Sequence, residues 1–208
     1  VARGRFITFE GGEGTGKSTQ VGRLVDRLKA AGIDVVRTRE PGGSPGGEAI
    51  RALVVSGTSD RWSARTELLL MFAARSDHLE RTIRPALAAG QWVVCDRFAD
   101  SSRAYQGAAG GAAADFVEAL DRHVVGEDQP DLTLVFDLPA DIGLARALSR
   151  AGGETRFESK GLAFHDALRA GFRAIAEGHP DRCRLIDAAG PIEAVEARVW
   201  VAVEALLP

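Results

Sequence analysis

Residues 11–18 read Gly11-Gly12-Glu13-Gly14-Thr15-Gly16-Lys17-Ser18, and no other feature of the chain constrains its fold as strongly. The run matches G-x-x-x-x-G-K-[ST], in which glycines let successive backbone N–H groups turn inward around an anion. Such a loop must join a strand to a helix, and both flanks comply. Residues 5–10 (RFITFE) read as a strand, and residues 17–31 as an amphipathic helix ended by Gly32. A helix opening at Lys17 adds its positive amino end to the nest. Lys17 would reach the β- and γ-phosphates of a nucleoside triphosphate, with Thr19 beside it, and the Ser18 hydroxyl would hold Mg²⁺. A chance glycine-rich turn is the alternative, and eight matching residues in the required context argue against it.

The remaining pattern alternates strands and helices. Strands are predicted at 34–39, 92–95, 132–137 and 184–187, and helices at 48–55, 64–89, 112–125, 142–150, 164–177 and 192–207. Pro85 is expected to kink or break the long 64–89 segment. The glycine- and alanine-rich residues 107–114 read as a flexible turn. Strands separated by helices imply an α/β fold, a five-stranded parallel sheet flanked by helices on both faces. We expect one domain over residues 1–208, with its site at the carboxyl ends of the strands.

A formal net charge of -3 argues against a broad nucleic-acid-binding surface. No apolar stretch reaches membrane-spanning length and no signal-peptide pattern is visible, so a cytoplasmic location is expected. Cys95 and Cys183 each lie in an apolar strand-like run and read as reduced, buried thiols. Lysine occurs only at positions 17, 29 and 160, the other basic residues being arginine, so the loop lysine was kept where arginine is the rule.

Several phosphate chemistries use such a loop. A switch GTPase needs an Asn-Lys-x-Asp guanine reader, and this chain contains no asparagine. An ATP-driven motor needs partner domains for which 208 residues leave little room. A small-molecule kinase fits best, and a non-enzymatic nucleotide-binding module is the distant alternative.

Three further segments carry a resemblance. Thr38-Arg39-Glu40-Pro41-Gly42-Gly43 follows the second strand, Asp96-Arg97-Phe98 the third, and Ala104-Tyr105-Gln106-Gly107 comes soon after. With residues 9–19 (FEGGEGTGKST), they resemble bacterial thymidylate kinase in order and over nearly the whole chain. The resemblance implies a P-loop kinase that passes the γ-phosphoryl of Mg-ATP to dTMP, giving dTDP for dTTP synthesis. It also implies a homodimer.

The residues carry matching chemistry. Asp96 can hold Mg²⁺ through water while the Arg97 fork clamps phosphates; an ion pair at a strand end is the alternative. Phe72 and Arg75 share one helix face with Leu68 and Leu79, and periodicity alone favours a core role for Phe72. The resemblance instead implies that Phe72 stacks on thymine, that Arg75 bonds a base carbonyl, and that Tyr105 packs against the deoxyribose. Ser101 and Gln106 are candidate contacts to base or phosphate, with turn hydrogen bonding as the alternative. The family suggests a cis Glu40–Pro41 peptide at the acceptor phosphate, where trans is the general preference. Arg51 is placed to reach that phosphate, and Glu13 is kept on the acceptor side.

Residues 146–160 (RALSRAGGETRFESK) are basic and glycine-interrupted, which suggests a mobile lid. The phosphate loop lacks arginine, so charge for the migrating group must come from elsewhere. Arg150 and Arg156 are the candidates, with Arg146 third, as in family members with lid arginines.

Overall fold

The structure is a computed structural model describing residues 2–58, 60–149 and 155–207. The apolar runs become strands β1 (Phe6–Gly11), β2 (Val35–Arg39), β3 (Trp92–Asp96), β4 (Leu132–Asp137) and β5 (Cys183–Asp187). β1 is buried at every position and β4 at all but its last, as expected of strands covered on both faces. β2 and β5 expose part of their length because they form the sheet edges. The sheet is parallel, in the order β2-β3-β1-β4-β5. From β1 the chain runs to the β2 edge, fills in β3, then crosses to β4 on the other side. The carboxyl end of β1 is therefore where strand order reverses, the place where such sheets open a ligand crevice.

Helices cover both faces. α1 (Lys17–Ala30) lays Val21, Leu24, Val25 and Leu28 on one face, and Val195, Val199 and Val203 of α10 (Ile192–Val203) complete that layer. Each such side chain contributes about 1.5–3 kcal/mol through burial. On the opposite face α3 (Ala64–His78) buries Leu68 and Phe72, and α9 (Leu162–Gly178) buries Leu168 and Phe172. α6 (Ala114–Val124) and α7 (Ala140–Leu148) complete the main helices, and both cysteines are buried and free.

Three departures from the sequence reading, and the form that one expected break takes, have local causes. α2 (Pro45–Val54) starts earlier than expected because Ser44 caps it, accepting from the Gly47 N–H at 3.2 Å, with proline in the first turn. The kink or break expected at Pro85 takes the form of an interruption of the α-helix just before it. A π-helical turn, Leu79–Ile83, leads into α4 (Arg84–Ala88), whose first turn needs no N–H from the proline. Residues 99–108, not expected to be helical, form α5 (Ala99–Ser102) and a second π-helical turn, Arg103–Ala108, so the expected turn begins later. α8 (Thr155–Glu158) forms within the predicted lid.

Candidate active site

The phosphate loop joins β1 to α1 as its pattern requires. Gly16 precedes α1 without a side-chain cap, and no acidic residue occupies the first turn. The opening N–H groups of α1 are thus left to an anion. Gly14 has φ 67°, and a Cβ there would fall 1.9 Å from the Gly143 carbonyl oxygen on α7. Only glycine lets the loop and α7 approach this closely. Lys17 is buried, its Nζ donating to the Gly12 carbonyl at 2.6 Å and the Thr15 hydroxyl at 3.2 Å. Burial, reinforced by the Arg97 charge, lowers its pKa to about 8.

The end of β3 faces this loop because Phe9 pairs with Asp96 across the sheet. The Ser18 hydroxyl donates to Asp96 Oδ2 at 2.6 Å, placing two hard oxygens together at the loop's edge. Arg97 holds the left-handed region at φ 74°, unusual for a side-chain-bearing residue, so its guanidinium folds back over β1. Nη1 donates to the Gly11 carbonyl at 2.8 Å and the Ser101 hydroxyl at 3.3 Å, while Nη2 meets Glu13 at 3.2 Å. The Tyr105 hydroxyl also donates to Glu13. Burial alone would raise the Glu13 pKa, but the Arg97 and Lys17 charges outweigh it and hold the group at about 2. Glu13 therefore stays ionised and faces Arg97 and Tyr105.

Beneath this cluster lies Glu10, which sequence reading did not single out. It is fully buried, accepting from the Phe98 N–H at 2.8 Å and from the Ser101 hydroxyl. Burial, with Asp100 adding repulsion, raises its pKa to about 7. The Ser101 hydroxyl is thus occupied by Glu10 and Arg97 while its residue lines the cavity.

Opposite the loop, the Glu40–Pro41 peptide is cis, as the family resemblance suggests. Glu40 pairs with Arg75 Nε at 2.8 Å and with His78 Nδ1 at 3.0 Å, and His78 Nε2 meets the Thr38 hydroxyl at 2.7 Å. Arg75 Nη2 donates to the Phe98 carbonyl and the Ser102 hydroxyl; Nη1 is a buried donor without a hydrogen-bond partner. Arg51 Nη1 donates to the Pro41 carbonyl at 2.7 Å. Gln106, in the second π-helical turn, donates its amide to Glu67 at 2.9 Å. His78 and Glu67 were also missed. Their only sequence signal is spacing: each lies on the Arg75 face of α3, one turn after and two turns before it.

A cavity of about 550 Å³ gathers most of the expected set. Residues 13–19, Glu40, Pro41, Arg51, Arg75, Asp96, Arg97, Ser101, Tyr105 and Gln106 line it, joined by Arg39, Met71, Ser102 and Glu158. Three expected side chains do not line it, and a fourth lies outside the described residues. Phe72 is 2% exposed and packed in the core under the Arg75 guanidinium, 4.5 Å from its ring centroid, and Met71 lines the cavity beside it. Phe72 thus holds the packed position that periodicity favours. Arg146 is exposed on α7. Arg156 is buried against Glu67 and α2, with Nη1 donating to the Val54 carbonyl. Arg150 lies outside the described residues.

A phosphate loop at the switch point of a five-stranded parallel sheet, sharing one cavity with Arg51, Arg75 and Arg97, fits a P-loop kinase of the nucleoside monophosphate class. Known proteins narrow the class. The thymidylate kinase family model matches residues 9–199. The chain is 63% identical to the thymidylate kinase of Caulobacter vibrioides, covering 96% of this chain and 95% of that protein. It is 54% identical to that of Bradyrhizobium diazoefficiens, covering 99% and 92%. The crystal structure of thymidylate kinase from Ehrlichia chaffeensis superposes with a TM-score of 0.78 at 32% identity, covering 97% of this chain and 99% of that one. The chain belongs to the thymidylate kinase family. It is accordingly a phosphotransferase that uses ATP to phosphorylate dTMP to dTDP.

Proposed function

We propose that residues 1–208 act as one domain in which the cavity holds ATP on the loop side and dTMP on the Arg75 side, with Arg97 between them. The observation that carries this reading is the Arg97 guanidinium, which touches Gly11 and Glu13 of the loop and Ser101 of the acceptor wall together. On the ATP side, the Gly11–Ser18 backbone and Lys17 cradle the phosphates and Thr19 follows them on α1, while Arg146 would have to reach in from the exposed face of α7. On the dTMP side, Arg51 and Arg97 meet the 5′-phosphate beside Glu40 and Pro41. The partnerless Arg75 Nη1 suits a base carbonyl, Gln106 and Ser101 add polar contacts, and Tyr105, held by Glu13, abuts the sugar.

The acceptor phosphate is largely ionised near neutral pH, so transfer needs no strong general base. Lys17 and Arg97 offset charge on the migrating group, and the cavity aligns the reactants. Mg²⁺ suits the Ser18 and Asp96 oxygens, two hard donors 2.6 Å apart that leave other positions to phosphates and water. Bound there, the ion would neutralise phosphate charge.

We also infer a cytoplasmic homodimer. No helix among the described residues is long and apolar enough to cross a membrane, and α3 carries Leu69 45% exposed on its outer side. ADP release measured with a panel of nucleoside monophosphates tests the acceptor, and dTMP is expected to lead. Preference for another monophosphate would reassign the pocket, and no turnover with any of them would favour a nucleotide-binding module.

A further inference from the structure

Glu67 and Arg156 do not line the cavity, yet both are buried and joined to its walls. Glu67 Oε2 lies 2.5 Å from Arg156 Nη1, and Oε1 accepts from Gln106 Nε2 at 2.9 Å. Arg156 also donates from Nη1 to the Val54 carbonyl at 2.9 Å and from Nε to the Thr58 carbonyl at 3.0 Å. Val54 ends α2, where the last carbonyls have no intrahelical partner and the helix dipole is negative. A guanidinium there satisfies those oxygens and complements the dipole. One turn earlier on α2, Arg51 donates to the Pro41 carbonyl. The pair thus fixes the helix that carries Arg51 on one side and the Gln106 amide on the other. Both of those residues line the acceptor part of the cavity.

This geometry disagrees with a transition-state role for Arg156. An arginine finger must present its donors to the migrating phosphoryl group. Arg156 Nη1 is taken up by Glu67 and the Val54 carbonyl and Nε by the Thr58 carbonyl, away from Lys17 and the phosphate-loop backbone in the chain.

We infer that Glu67 and Arg156 are positioning residues, an ion pair outside the cavity that sets Arg51 and Gln106 around dTMP. This rests on reading the cavity as the dTMP site. The test measures dTMP binding and ATP binding separately by calorimetry, with steady-state kinetics, for the wild-type chain and for E67Q and R156M. Each variant is expected to weaken dTMP binding by about tenfold or more, the loss of a charge-assisted hydrogen bond. ATP binding should stay within about twofold and kcat at saturating dTMP within about tenfold, since neither residue touches the loop. A merely structural weakening would lower both affinities together and overturn the assignment. So would unchanged dTMP binding in E67Q, or a loss in kcat on the order of 10³ in R156M with dTMP KM unchanged, the signature of a finger. Should a single variant fail to fold, E67L/R156M removes both charges and strands neither. Wild-type dTMP affinity in that folded double variant overturns the inference. A wild-type chain that turns over another monophosphate but does not bind dTMP overturns the acceptor reading as well.

Discussion

The donor and acceptor halves of the cavity are built by different means. In the proposed arrangement the donor half is one contiguous run of loop backbone opening into α1, with Lys17 as its main charged side chain. The proposed acceptor half is assembled from side chains on α2, α3, α5, the turns after β2 and β3, and the second π-helical turn. It is held by two buried ion pairs, Glu40–Arg75 and Glu67–Arg156. A backbone-built site can lose a side chain and keep its shape. In the other half affinity and stability are tied together, because removing one partner leaves a buried charge uncompensated.

The largest expected effect tests the donor half. Lys17→Ala should lower kcat by a factor on the order of 10³ or more while the fold survives, since the loop's shape is set by its backbone. Near-normal turnover in a coupled ADP assay would break the donor assignment. On the acceptor side, Arg75→Ala should cost about 3–5 kcal/mol of stability in chemical denaturation by stranding Glu40. It should weaken dTMP binding in parallel, leaving ATP binding little changed, and a stability equal to wild type would dissolve the contrast between the halves.

Tyr105→Phe sharpens the boundary between them, because its hydroxyl reaches from the acceptor wall to Glu13 of the loop. Loss of that bond should relax discrimination against a ribose acceptor by about tenfold. Equal kcat/KM ratios for the two sugars in variant and wild type would refute the sugar-sensing role.

The smallest expected effect is one of pH. Lys17 has its pKa lowered to about 8, against 10.5 unperturbed. Burial of its charge therefore opposes folding fully below about pH 8, and that cost fades as pH rises toward 10.5. Triphosphate charge favours the protonated amine, so ATP binding above about pH 8 should take up a proton and weaken as pH rises. Calorimetry in buffers of different ionisation enthalpy would detect the uptake. Its persistence in Lys17→Ala would assign it to another group.

The sequence by itself determined the α/β alternation, the phosphate loop and the residues beside it. Those signals act through neighbours in the chain: a strand, a nest of glycines, a helix opening at Lys17. Asp96 and Arg97 were legible for the same reason, since they close an apolar run that must be a strand. Periodicity also placed Phe72 in a packed layer, and it is buried there. Only the tertiary structure decided what Glu10, Glu67 and His78 do, and that Arg156 is bound to Glu67 and α2. Each is a polar residue on an ordinary strand or helix, and its partner lies 38 to 102 positions away. A buried charge must find compensation wherever packing brings an opposite group within reach. Which group that is depends on how the helices dock, and no local pattern records it.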